Sequence, residues 1–67
     1  MDKYKKILLD RESPQYLYLQ LFEIIKEMIM NSQIDQGSKL PPIRRLASLL
    51  KVNSSTIVSA YDLLENK

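Results

Sequence analysis

Eight polar side chains in the second half of this 67-residue chain could bind an anion, and none of them is acidic. Three are cations and five carry a hydroxyl or an amide; in chain order they are Lys39, Arg44, Arg45, Asn53, Ser54, Ser55, Thr56 and Ser59. Guanidinium groups bind phosphate through paired N–H donors, and hydroxyls and amides donate single hydrogen bonds. Their types and spacing indicate a phosphate-binding surface, with an ordinary solvated basic face as the alternative.

The distribution of charge supports this interpretation better than the net charge of +2 does. Residues 1–35 carry a net charge of −1, residues 36–61 carry +4 without any Asp or Glu, and the last six residues carry −1. A carboxylate within such a stretch would repel a phosphate backbone. The carboxylate-free stretch is therefore the part of the chain in which to expect contact with a polyanion.

Two short amphipathic segments carry these polar side chains. In both, apolar residues recur at i, i+3, i+4 and i+7, which predicts helices with one apolar stripe each: Ile43, Leu46, Ala47 and Leu50 in one, and Ile57, Ala60, Tyr61 and Leu64 in the other. Both stripes need a shared core, so the chain must turn sharply between Leu50 and Ser54. This is the helix-turn-helix arrangement, which places its second helix in the major groove of DNA.

Proline and capping residues predict where the helices begin. Pro42 should start the first of the pair, which ends near Leu50, and Asn53 should be the N-cap of the second, the recognition helix, at about 54–65. A scaffold helix is expected from the Ser13-Pro14 pair to about Asn31 or Ser32. Its buried side is predicted to consist of Leu17, Leu21, Ile24, Ile25, Met28 and Ile29.

The remaining segments are shorter. Gly37 predicts a tight turn, which could lead into a very short strand at Lys39-Leu40. The charged residues 1–12 are expected to form a flexible N-terminal arm that can fold against a neighbour. We therefore expect an all-α fold with the helix-turn-helix domain at residues 13–67.

The apolar stripes also predict which way the polar residues face. Arg44 and Arg45 should point away from the core and anchor backbone phosphates, with Lys39 as a weaker candidate, while the hydroxyls at the start of the recognition helix face the groove. The alternative is that Asn53, Ser54 and Ser55 are only capping residues. Tyr61 is expected to face inward, with its hydroxyl bonded to water or to a backbone carbonyl.

Composition excludes several other functions. There is no cysteine or histidine, which removes disulfides and the usual zinc sites, and no base that could activate a serine nucleophile. We therefore expect no enzyme activity and no cofactor in this chain. No signal peptide is evident, and charged residues interrupt the apolar stretch 16–30. We therefore expect a cytoplasmic location and no membrane partner.

Three strings of residues resemble the GntR family of bacterial transcription regulators, and the resemblance extends from about Pro14 to the end of the chain. They are LYLQL at 17–21, IDQGSKLPPIRRLA at 34–47 and LKVNSSTIVSAY at 50–61. The resemblance implies a winged helix-turn-helix of three helices whose wing is truncated here, with Arg44, Ser54, Ser55 and Thr56 at positions where the family contacts double-stranded operator DNA. It also implies a homodimer and a small-molecule effector domain that is missing from this chain.

Two positions depart from the family pattern. Many members have arginine where Ser54 stands, so a strong guanine or phosphate ligand is absent there. Many have glycine where Lys51 stands, and a left-handed backbone at that position would cost a lysine on the order of 1 kcal/mol. Ala60-Tyr61 and the turn with Asn53 are most similar to the MocR and YtrA subgroups. In the MocR case, pyridoxal phosphate would be expected in a missing C-terminal domain.

Two other classes of function are left open by the residues themselves. In the first, the chain is a protein-interaction module whose first helix and Ile7-Leu8-Leu9 arm form a dimer, and the basic face is incidental. In the second, it is part of a longer native enzyme. Self-association without a DNA complex would distinguish the interaction module from the DNA-binding domain.

Overall fold

The computed structural model describes residues 2–34 and 39–65, and in these two ranges all regular structure is helical. The helices are α1 (Asp2–Lys5), α2 (Leu17–Met30), α3 (Ile43–Leu50) and α4 (Ser54–Glu65). The all-α prediction is confirmed, with α1 as an unpredicted addition. The strand expected at Lys39-Leu40 is wrong, since neither residue pairs with another strand, and the turn at Gly37 lies outside the described residues.

The core is built around α4, which packs against both α2 and α3. The largest side chains that are almost fully buried come from all three of these helices and from the loop after α2: Leu21, Ile25, Ile34, Leu46 and Ile57. Burying a side chain of this size contributes about 1.5 to 3 kcal/mol. Contacts on two sides therefore hold α4 in place relative to α3.

A sharp turn joins α3 to α4, as the sequence predicts. Lys51 ends α3 in the left-handed conformation, with φ 59° and ψ 47°. The Val52 N–H donates to the Ala47 carbonyl oxygen at 3.0 Å, which closes the last turn of α3. Only residues 51–53 separate the two helices, so the left-handed lysine sets the direction in which α4 begins.

The left-handed backbone makes Lys51 the position where a glycine should stabilise the fold. We expect Lys51→Gly to raise the free energy of unfolding by about 0.5 to 1 kcal/mol, because the relief of the Cβ clash exceeds the added entropy of the unfolded chain. Chemical denaturation measures the change. Ser48→Gly, an exposed position inside α3, is the matched control and should lower stability by a similar amount. A lower stability for Lys51→Gly would contradict the argument.

The scaffold helix α2 begins at Leu17, so its predicted start at Ser13-Pro14 is wrong. The Ser13 hydroxyl accepts a hydrogen bond from the Gln15 N–H at 3.1 Å, which forms a local turn. The Gln20 side chain donates to the Gln15 carbonyl at 2.9 Å and holds this turn outside the helix. The end of α2 at Met30 agrees with the prediction to within two residues.

Residues 2–12, called here the N-terminal segment, pack on the helical domain. Tyr4 and Ile7 are only 5% and 7% exposed and belong to the core. Gln20 on α2 accepts a hydrogen bond from the Asp10 N–H at 2.8 Å and donates one to its carbonyl at 2.9 Å. The expectation of a flexible arm is therefore wrong for this segment, because its helix packs against α3, its apolar side chains are buried, and its main chain is paired with Gln20 of α2.

The apolar stripe of α3 is narrower than predicted. Leu46 and Ala47 are buried and Leu50 is half-buried, but Ile43 remains 36% exposed. Ile43 is the first residue of the helix. None of the helices in the described ranges is long and apolar enough to cross a membrane.

Candidate nucleic-acid interface

The exposed face of α3 carries both arginines that the sequence predicts as phosphate ligands. Arg44 and Arg45 are exposed, while Leu46 and Ala47 face the core. Ser48 is also exposed and lies one turn after Arg44, on the same face. It was not among the predicted site residues, although its i+4 spacing from Arg44 was a usable signal. The face therefore offers two guanidinium groups and a hydroxyl to a ligand.

The first turn of α4 is accessible too. Asn53, Ser54 and Ser55 are exposed, and the first turn contains no acidic residue. The Thr56 N–H donates to the Asn53 carbonyl at 3.0 Å, so the helix begins where the sequence predicts. Free N–H groups and the positive end of the helix dipole attract anions at such a terminus. This turn can therefore bind a phosphate without any cationic side chain.

Two of the predicted ligands are less accessible than the others. Thr56 and Ser59 are both half-buried. Ser55, Ser59 and Asp62 share one side of α4 by their spacing, and Asp62 is exposed. A carboxylate at that point would repel a phosphate backbone, so the part of α4 suited to a polyanion is its first two turns.

Every cation in the carboxylate-free stretch is exposed: Lys39, Arg44, Arg45 and Lys51. Arg44 and Arg45 lie on α3, which packs against α4, whereas Lys39 precedes α3 and lies outside both helices. The structure therefore places the two arginines and the start of α4 on neighbouring elements. Lys39 belongs to the same chain region but to no helix.

Tyr61 connects α4 to the chain that leads into α3. Its hydroxyl donates to the Pro41 carbonyl at 2.7 Å, and a backbone carbonyl was one of the two partners that the sequence predicts. Burial, with a smaller electrostatic contribution from Tyr4, raises the pKa of Tyr61 to about 12. This bond fixes the start of α3, and hence Arg44, relative to α4.

The pKa of Tyr61 predicts a loss of stability in strong base. Because the pKa rises from 10.0 to about 12 on folding, the folded state holds the phenolic proton more tightly than the unfolded state does. We therefore expect the free energy of unfolding to fall as the pH rises from 10.0 to about 12. Denaturation at several pH values measures this fall. Tyr61→Phe should show a shallower pH dependence, and equal slopes for the two proteins would contradict the assignment.

Arg11 is a residue near this surface that sequence reasoning missed. Its Nη2 donates to the Lys51 carbonyl at 2.7 Å and to the Leu50 carbonyl at 3.2 Å, so it caps the C-terminal end of α3. These partners lie 39 and 40 residues further along the chain. No local spacing encodes a contact over that distance.

Comparisons with known proteins agree with this geometry. Residues 17–67 match the profile of the bacterial regulatory proteins of the gntR family. The chain is 45% identical over 56 residues to the uncharacterized HTH-type transcriptional regulator YhdI of Bacillus subtilis, covering 84% of this chain and 12% of that protein. It is 33% identical over 61 residues to the HTH-type transcriptional repressor YtrA of the same organism, covering 91% of this chain and 47% of that protein.

A third relative comes from the other subgroup suggested by the sequence. The probable rhizopine catabolism regulatory protein MocR of Rhizobium meliloti is 31% identical over 58 residues, which cover 87% of this chain and 12% of that protein. The chain thus spans less than half the length of each of these three relatives. No solved structure matches it significantly.

The family match covers α2, α3 and α4, and with them the exposed arginines of α3 and the first turn of α4. The three relatives are named as a transcriptional regulator, a transcriptional repressor and a regulatory protein, in agreement with the prediction that this domain is regulatory and not enzymatic. With a profile match over residues 17–67 and relatives above 30% identity, the chain belongs to the GntR family as a DNA-binding domain of a transcription regulator.

Proposed function

We propose that this domain binds double-stranded operator DNA in a sequence-specific manner, with α4 entering the major groove and α3 lying across the backbone. The observation that carries the proposal is that Arg44 and Arg45 on α3 and the first turn of α4 are exposed, on two packed helices within a stretch without Asp or Glu. Two packed helices joined by a three-residue turn are the usual geometry for this mode of binding.

The residues divide into two roles. Arg44 and Arg45 anchor phosphates, with Lys39 as a third cation, and these contacts set affinity and register. Asn53, Ser54 and Ser55 approach base edges or phosphates at the start of α4, followed by the half-buried hydroxyls of Thr56 and Ser59. Because serine stands at position 54, hydroxyl contacts there replace bidentate reading of guanine, and operator preference should differ from that of relatives with arginine.

The whole protein is proposed to act as a homodimer on a pseudo-palindromic operator in the cytoplasm. The greater length of the relatives supports a wing and an effector domain beyond this domain. A small-molecule effector would act through that second domain. Pyridoxal phosphate would belong there as well if the protein is of the MocR type, while the DNA-binding domain itself works without a cofactor.

The experiment is a selection of bound sequences from a duplex pool with a randomised centre, followed by titration of the selected duplex. Three phosphate contacts predict a slope of log K against log salt of about −2.7, which corresponds to a loss of about 40-fold in affinity between about 50 and 200 mM salt. An affinity independent of salt would overturn phosphate anchoring. Self-association without any DNA complex would favour the protein-interaction module instead.

A further inference from the structure

The guanidinium of Arg11 lies at the joint between α3 and α4. One nitrogen of this group, Nη2, reaches the carbonyls of Leu50, the last residue of α3, and of Lys51, the left-handed residue of the turn. The carbonyls at a helix C-terminus carry partial negative charge and lack partners within the helix. A cation from a distant part of the chain supplies both the charge and the donors.

Arg11 is itself held in place through its neighbour. Gln20 pairs with both the N–H and the carbonyl of Asp10, at 2.8 and 2.9 Å. The Asp10 carboxylate accepts the Glu12 N–H at 3.0 Å, so the main chain is tied on both sides of Arg11. Together with the buried Tyr4 and Ile7, these contacts join α2 to the end of α3 through the N-terminal segment.

We propose that Arg11 is a positioning residue for DNA binding, which it serves by fixing the α3–α4 turn; this inference rests on the proposed function. The turn has only three residues, so a change in the direction of the Leu50 and Lys51 carbonyls moves the start of α4. Ser54 and Ser55 lie in that first turn. Arg11 therefore acts on the groove contacts without touching DNA.

A direct phosphate contact by Arg11 is the competing explanation, and the salt dependence separates the two. Removing a cation that contacts a phosphate lowers the salt slope by about 1, because one fewer counterion is released. Removing a residue that only positions α4 lowers affinity and leaves the slope unchanged. The two explanations thus predict the same direction of affinity change and different slopes.

The test compares Arg11→Ala with Lys6→Ala, which removes an exposed cation from the same segment. Both are titrated with the selected duplex at several salt concentrations, and denaturation measures the folded fraction. Arg11→Ala is expected to bind about five- to tenfold more weakly at an unchanged slope, a change that corresponds to the net loss of about one hydrogen bond. Lys6→Ala should bind like the parent, and Arg11→Lys should recover most of the affinity.

A second variant keeps the guanidinium and removes its support. Gln20→Ala should weaken DNA binding by a smaller factor than Arg11→Ala does. The double variant Arg11→Ala/Gln20→Ala should bind DNA as tightly as Arg11→Ala, because both substitutions break the same connection between α2 and the α3–α4 turn. Parent-like affinity of Arg11→Ala, or a slope lower by about 1, would overturn the inference and leave the proposed function standing. A parent that does not bind the duplex would overturn both.

Discussion

Replacing Arg44 and Arg45 together with alanine should weaken binding of the selected duplex by about 30-fold at low salt, assuming about 1 kcal/mol for each exposed phosphate contact. The slope of log K against log salt should fall in magnitude by about 2, since two counterions fewer are released. Both side chains are exposed, so the fold should not change. Fluorescence anisotropy at several salt concentrations measures both quantities.

The matched control for this variant is Lys5→Ala/Lys6→Ala, which removes the same net charge from two exposed positions outside α3 and α4. It should change affinity only slightly and keep the parent slope. Equal losses in the two double variants would mean that overall charge, and not the α3 surface, attracts the duplex. That result would remove Arg44 and Arg45 from the interface.

Ile57→Ala should lower the free energy of unfolding by about 2 to 5 kcal/mol, because a fully buried side chain is replaced and a cavity remains. Ile57 is 0% exposed and lies on the helix that contacts both α2 and α3. A domain of this size has a total stability of roughly 3 to 10 kcal/mol. If the stability of the parent lies at the lower end of this range, the variant is partly unfolded at room temperature; circular dichroism and chemical denaturation measure the loss.

The next residue along α4 provides the control for Ile57. Val58 is 41% exposed, and Val58→Ala removes apolar atoms of the same kind from an exposed position on the same helix. Its effect on stability should be within about 0.5 kcal/mol. Similar losses at both positions would mean that α4 does not face the core as described.

The helix boundaries could be predicted where the capping residues and the apolar spacing indicate the same helix. The Pro42 start, the Asn53 cap and the apolar spacing place α3 and α4 to within one residue. The start of α2 could not be predicted this way, because Ser13-Pro14 has the features of a helix start. A side chain from inside α2, Gln20, instead holds residues just before the helix in a turn. That contact overrides the local preference.

The residues of the candidate site could be predicted from the sequence, but the contacts that hold them in place could not. Exposure of Arg44, Arg45, Ser54 and Ser55 follows from the apolar stripes, because helical periodicity assigns each residue to a face. The role of Arg11 could not be predicted, since its partners are backbone carbonyls, which every residue has and which leave no pattern in the sequence. The half-burial of Thr56 and Ser59 depends on how closely α4 approaches its neighbours, which spacing alone does not determine.

The burial of Tyr4 and Ile7 has a consequence for protein engineering. The family match begins at Leu17, whereas the hydrophobic core includes two side chains from residues upstream of that boundary. A chimera that grafts only residues 17–67 behind an unrelated leader would expose the apolar surface that these two side chains cover. The transplantable module of this regulator therefore includes its leading residues, and reporter fusions should carry them along.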